Sequence, residues 1–147
     1  MTVLDLIGAR SDVFAIREDM SVHDAARYLR ERQVRAVGVL DAHGRLVGVV
    51  SQSDISDKVA AENKCPAWMR VSEIMSTGLV TVTPDRSLYD CVRLLEQNGI
   101  YHLLVVDATG TYRGMVSVTD MVTLIASDEK ARADMLEAFV FERTAPS

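Results

Sequence analysis

Two seven-residue segments carry the residue types and spacing to hold a polar small molecule: Gly48-Val49-Val50-Ser51-Gln52-Ser53-Asp54 and Gly114-Met115-Val116-Ser117-Val118-Thr119-Asp120. Each runs glycine, two apolar residues, serine, two further residues and aspartate. The apolar run predicts a strand and the serine predicts a helix start, whose free N–H groups and positive dipole end favour an anion. Ser51 and Ser117 can donate a hydroxyl to a phosphate oxygen. Asp54 and Asp120 cannot serve phosphate, because a carboxylate repels it; an aspartate is suited instead to accept two hydroxyls from a cis-diol such as a ribose. Phosphate and ribose together describe a nucleotide. The same Ser-x-x-Asp spacing is also a helix capping box. The chain supplies a control in Ser21 to Asp24 and Ser87 to Asp90, which lack the preceding glycine-led strand. At the level of spacing both readings stand.

The elements that position these segments occur twice. Ser21 to Leu29 aligns with Ser87 to Leu95 at an offset of 66 residues, and the same offset carries Asp41-Ala42-His43-Gly44 onto Asp107-Ala108-Thr109-Gly110. No gap is needed from Asp19 onward. A shorter echo, Val3 to Ile7 against Val71 to Met75, is displaced by two more residues. Two tightly coupled copies of one unit follow, each too small to build a large core alone.

Within each copy the hydrophobic period changes in a fixed order. Val13 to Ile16 and Leu79 to Val82 predict short strands. Val22, Ala25, Ala26 and Leu29, like Leu88, Cys91, Val92 and Leu95, recur at helical spacing behind a serine cap. Gly99 predicts the end of the second of these helices, whereas the first stops at Arg32-Gln33 without such a signal. Two apolar runs around a turn with glycine then predict a β-hairpin, and a second helix begins after Ser51 or Ser117. Each unit reads β-α-β-β-α, so the fold class is α+β. The boundaries expected are 1–66 for the first repeat with its N-terminal segment and linker, 67–127 for the second, and 128–147 for a C-terminal helix and tail.

Composition bounds the function. The chain has 147 residues, 48% apolar, 25% charged and 5% aromatic, with a formal net charge of −5. An acidic balance with scattered Lys and Arg predicts no nucleic-acid surface. The opening Met1 to Ile7 has no basic start and is interrupted by Asp5, so no signal peptide is expected. No stretch approaches the roughly 20 apolar residues that span a bilayer, and no membrane association is expected. Cys65 and Cys91 lie far apart, which predicts free thiols in a cytoplasmic protein. His23, His43 and His102 are isolated, so no metal site is expected, and no Ser-His-Asp or Cys-His set signals a catalyst. Trp68 is expected as a packing anchor of the linker. Ala131, Met135, Ala138 and Phe139 predict a terminal helix that packs on the module or on a dimer partner.

The two Gly-h-h-[Ser/Thr]-x-x-Asp segments resemble those of a tandem pair of cystathionine-β-synthase (CBS) domains. So do the strand-Asp-x-x-Gly segments Val37 to Gly44 and Leu103 to Gly110, and the link Val71-Ser72-Glu73-Ile74-Met75. The resemblance covers nearly the whole chain. It implies two intertwined repeats forming one regulatory module, with clefts between them that take an adenine nucleotide or adenosyl ligand such as AMP, ADP, ATP, NAD or S-adenosylmethionine. Ser51 and Ser117 would lie near phosphate, Asp54 and Asp120 would hold ribose, and adenine would lie near Ala15 and Thr81. Arg35 and His102 match strand positions from which the family sometimes directs cations at phosphate. Arg35 is expected beside Ser51 and Asp54, and His102 beside Ser117 and Asp120. Gly38 and Leu104 stand where many members have proline, and Ser53 and Thr119 where similar members often carry arginine. No cofactor is required, a homodimer and an unidentified protein effector are implied, and catalysis is not expected. The alternative is a scaffold of the same fold that has lost nucleotide binding.

Overall fold

Serine hydroxyls open the first helix of each repeat. Ser21 Oγ accepts the Asp24 N–H at 3.1 Å and starts α2 (Val22–Arg32), and Ser87 Oγ accepts the Asp90 N–H at 3.1 Å and starts α4 (Leu88–Asn98). The structure, a computed structural model, describes residues 1–8, 10 and 12–144, the last four as backbone only. Residues 145–147 of the expected tail lie outside the described residues. Helix α4 ends at Gly99 in the left-handed conformation, φ 61°. Helix α2 ends at the equivalent place on Gln33, φ 56°. The stop missing from the sequence is therefore made by a residue that tolerates this conformation at some steric cost.

Two three-stranded sheets follow the repeat. Parallel β1 (Ala15–Arg17) and antiparallel β3 (Leu46–Ser51) flank β2 (Ala36–Leu40); parallel β4 (Thr81–Val82) and antiparallel β6 (Tyr112–Ser117) flank β5 (His102–Val106). The first strands begin later than the apolar runs predict. The hairpins share one register, with Ala36 opposite Ser51, His102 opposite Ser117, and a bulge before Leu40 and before Val106. Each hairpin turn is closed by its aspartate. Asp41 Oδ1 accepts the His43 and Arg45 N–H groups, Asp107 Oδ1 accepts those of Thr109 and Thr111, and Gly44 and Gly110 take positive φ.

The repeats exchange their leading segments, which is what intertwines them. Helix α1 (Val3–Ile7) buries Val3 and Ile7 among Val82, Cys91, Leu103 and Val116 of the second repeat. The linker places Val71 and Ile74 among Ile16, Leu29, Val37 and Val50 of the first. Matching bridges tie each exchange, Ser21 to Arg70 and Thr2 to Ser87. This apolar burial, at about 25 cal/mol per Å², ties the two halves together.

One packing expectation needs correction. Trp68 is 87% exposed, because its neighbours Met69 and Val71 supply the linker's anchor and the 3-10 turn Pro66–Trp68 turns the indole outward. Ala25 and Cys91 are fully buried in the cores of their own repeats. Helix α6 (Glu129–Thr144) buries Ala131 and Met135 against the second repeat and sets Phe139 edge-on to Tyr89 at 5.2 Å, while Leu136 and Val140 face outward. Among the described residues no helix is long and apolar enough to cross a membrane.

Candidate functional site

Strands β3 and β6 end at the serines, and the helices that follow bring each aspartate back over its own serine. Asp54 Oδ2 accepts the Ser51 N–H at 2.9 Å, while Ser51 Oγ accepts the Asp54 N–H at 3.2 Å and lies 3.1 Å from Asp54 Oδ2. Helix α3 (Gln52–Ile55) starts there and runs into a π-helical turn, Ser56–Ala60. At α5 (Val118–Ser127), Asp120 Oδ2 accepts the Ser117 N–H at 2.9 Å and Ser117 Oγ accepts the Asp120 N–H at 3.1 Å. These are complete capping boxes. Ser21 and Ser87 make only half of one, because Asp24 and Asp90 do not reach back. A capping box does not exhaust these carboxylates, since each oxygen has two lone pairs.

Two clefts open at the junctions. One, of about 540 Å³, is lined by Ser117, Thr119 and Asp120 together with Arg10, Asp12, Phe14 and Arg113. The other, of about 510 Å³, is lined by Ser51, Ser53 and Asp54 together with Ser76, Gly78, Leu79 and Val80. Arg35, Ala36, Tyr101 and His102 line both, because the starts of β2 and β5 meet between the repeats. The expected division, Arg35 to one cleft and His102 to the other, does not hold. The offset explains why: Arg35 is equivalent to Tyr101 and His102 to Ala36, so the two cations come from opposite repeats and from different positions. Ala15 and Thr81 are not among the lining residues. Phe14, Leu79 and Val80, just ahead of them, supply the apolar wall because the strands begin later than expected.

Each aspartate already has a cation. Arg10 Nη2 stands 3.0 Å from Asp120 Oδ2, and Nη1 of the same guanidinium donates to the Met115 carbonyl. Lys58 Nζ stands 3.0 Å from Asp54 Oδ1 and donates to the Ile74 carbonyl at 2.7 Å. Lys58 is legible in the sequence as an i,i+4 pair with Asp54. Arg10 is not, because it lies where the repeat offset changes, between Ile7 and Asp19, and pairs with a carboxylate far away in the chain. Of the first helical amides, Gln52 and Val118 are taken by the Arg35 and Tyr101 carbonyls, so an anion at either helix start meets fewer donors than the sequence predicts.

His102 is half-buried. Burial lowers its pKa from 6.5, Arg35 pushes the same way, and Asp120 opposes them. The folded pKa is depressed, so the unfolded chain takes up the proton first and stability falls as pH drops below about 6.5. The denaturation midpoint of the wild type is expected to fall from neutral pH to about pH 5 more steeply than that of His102→Gln. Identical pH profiles would contradict this placement. Burial likewise pushes the Cys91 thiol up to about 11, which leaves it a packing group at neutral pH. Among the described residues no group of three or more His, Cys, Asp or Glu side chains is arranged to hold a metal ion.

Comparisons with known proteins identify the family and the fold. The CBS domain family model matches residues 3–61 and 71–127. An uncharacterised protein of Methanocaldococcus jannaschii is 25% identical over 115 residues, which are 78% of this chain, and the match spans 37% of that protein's length. The chain thus covers little more than a third of this relative. A signal-transduction protein with CBS domains from Burkholderia ambifaria superposes with a TM-score of 0.81 at 26% identity, over 88% of this chain and 96% of that one. The CBS domain pair of protein MJ0100, solved in complex with 5′-methylthioadenosine and S-adenosyl-L-methionine, gives 0.76 at 25% identity over 85% and 99%. With both repeats matched in order, this chain belongs to the CBS domain family as a tandem CBS pair.

Proposed function

We propose that this chain is a non-catalytic regulatory module that takes an adenine nucleotide or adenosyl ligand into its inter-repeat clefts and signals the occupancy to a protein effector. The observation that carries this reading is the pair of clefts. Each has a volume in the range of small-molecule sites, and each sets a serine hydroxyl and an aspartate at a strand-to-helix junction beside Arg35 and His102. A similar domain pair binds adenosyl compounds. Asp54 and Asp120 accept the ribose hydroxyls, Ser51, Ser117, Arg35 and His102 meet phosphate or its equivalent, and Phe14 or Leu79 and Val80 cover the base. The ligand joins the two repeats across the cleft, so its binding shifts their relative angle. No cofactor takes part. The module works in the cytoplasm, in keeping with its free Cys65 and Cys91.

Calorimetric titration with AMP, ADP, ATP, NAD, S-adenosylmethionine and 5′-methylthioadenosine tests the reading. Saturable binding of at least one adenosyl compound is expected, and no binding across the panel would contradict it. The second reading, a scaffold of the same fold without nucleotide affinity, draws on Lys58 and Arg10, which already pair with the two aspartates. The titration separates the two.

The module acts as a homodimer in this proposal. Tyr101, Val118, Val122 and Phe139 leave an apolar groove of about 520 Å³ between α4, α5 and α6, with Leu136 exposed on α6. A second copy covering it removes this surface from water. Sedimentation at tens of micromolar is expected to show a dimer, and a monomer there would contradict the assignment.

A further inference from the structure

The two clefts share Arg35 and His102, so their difference in charge lies in what each has alone. The Asp120 cleft adds Arg10 and Arg113 against Asp12 and Asp120, whereas the Asp54 cleft adds no arginine against Asp54. At the 66-residue offset the position of Arg113 is held by Val47, and in the register that aligns Val3 to Ile7 with Val71 to Met75 the position of Arg10 is held by Gly78. The cations on the two aspartates also differ in origin. Lys58 belongs to the same helical segment as Asp54 and is anchored on the Ile74 carbonyl. Arg10 comes from the N-terminal segment, spans from Asp120 to the Met115 carbonyl, and is 37% exposed with its carboxylate also 37% exposed. In the first repeat a backbone bridge between Val49 and Ser76 occupies the equivalent place on β3.

Arg10 therefore sits on the carboxylate that a ribose would use. A ligand entering this cleft must draw the guanidinium away from Asp120 Oδ2, and a neutral nucleoside offers Arg10 no anion in exchange. A phosphate does, and a charge-assisted pair to phosphate replaces the one to carboxylate. Resting on the function proposed above, we infer that Arg10 makes the Asp120 cleft selective for 5′-phosphorylated nucleosides, while the Asp54 cleft accepts nucleosides without a phosphate. The two clefts of one chain thus differ in whether they demand a phosphate, and Arg10 is the specificity-determining residue.

The test uses the full chain with Asp54→Ala, which leaves the Asp120 cleft intact, and compares AMP with adenosine by calorimetry before and after adding Arg10→Ala. AMP is expected to bind about ten- to a hundredfold tighter than adenosine in Asp54→Ala, from one charged hydrogen-bonded pair. Adding Arg10→Ala should erase most of that ratio by weakening AMP while leaving adenosine unchanged or tighter, because Asp120 is then released. Arg10→Lys, which keeps the charge, should restore part of the preference. A structural role alone would weaken both ligands equally and leave the ratio intact, which would overturn the inference. Equal affinity for AMP and adenosine in Asp54→Ala would overturn it too, with the adenosyl function standing. No binding of either ligand by the wild type would overturn this inference alone, and no binding across the whole adenosyl panel would overturn the function with it.

Discussion

Replacing Gly38 by alanine is expected to destabilise the protein by about 1–3 kcal/mol, the cost of overpacking a filled site. Gly38 lies in the central strand of the first sheet, paired with Ala15 on one side and Val49 on the other. A Cβ there would stand 2.6 Å from Tyr112 Cζ and 2.9 Å from its Cε2 and hydroxyl. Tyr112 belongs to β6 of the other repeat and is 8% exposed, and burial pushes its phenol up to about 12. The rigid ring can retreat only toward the Asp120 cleft that it lines, so the clash falls on the seam between the two repeats. For a chain of this size the change lowers Tm by roughly 2–12 °C. In a Tyr112→Ala background the same substitution should cost little, and a coupling near zero in that cycle would contradict the contact. Gly48 offers an internal comparison. Its added Cβ would meet Met75 Sδ at 2.6 Å, and a flexible thioether can swing aside, so Gly48→Ala should cost less than Gly38→Ala.

The second large effect concerns the ribose. If Asp54 and Asp120 accept its hydroxyls, 2′,3′-dideoxy-AMP leaves a desolvated carboxylate without those partners, and a hydrogen bond to a charged group is worth about 1.5–3 kcal/mol. The dideoxy compound is then expected to bind roughly ten- to a hundredfold more weakly than AMP. Asp120 has more to lose at the ribose, because its Oδ1 makes no protein hydrogen bond among those described, whereas Asp54 Oδ1 already meets Lys58. Equal affinities for AMP and the dideoxy compound would remove the ribose from both aspartates.

Much of the fold is legible in the sequence because the same pattern is written twice. The offset of 66 residues aligns Ser51 with Ser117 and Asp54 with Asp120, and the structure gives them the same capping geometry and register. What remained illegible depends on contacts between repeats or on backbone choices that residue type does not dictate. Gln33 takes the left-handed stop that Gly99 takes in the second repeat, and nothing in its type announces it. The exposure of Trp68 follows from which neighbours fill the linker's anchor sites, a competition that hydrophobicity alone does not decide. Arg10 reaches its carboxylate across a sequence separation of 110 residues, and local pattern carries no trace of such a pair. The cleft-lining role shared by Arg35 and His102 arises from the pseudo-symmetric meeting of β2 and β5, which appears only once both repeats are folded together.

Capping and ligand binding by the same aspartates separate in one variant, Asp54→Asn/Asp120→Asn. Asparagine keeps an oxygen that can accept the Ser51 and Ser117 amides, so the caps survive, and each helix start loses about 0.3–1 kcal/mol of charge–dipole stabilisation together with its ion pair to Lys58 or Arg10, a partly exposed pair worth at most about 1 kcal/mol. Calorimetry with AMP on the wild type and on this variant, each first shown folded by its melting curve, is the most direct measurement of the central claim. The account predicts saturable AMP binding by the wild type and a loss of at least about tenfold in the double variant, with a drop in Tm. AMP binding of equal strength in both proteins would contradict it and reduce the two aspartates to helix caps.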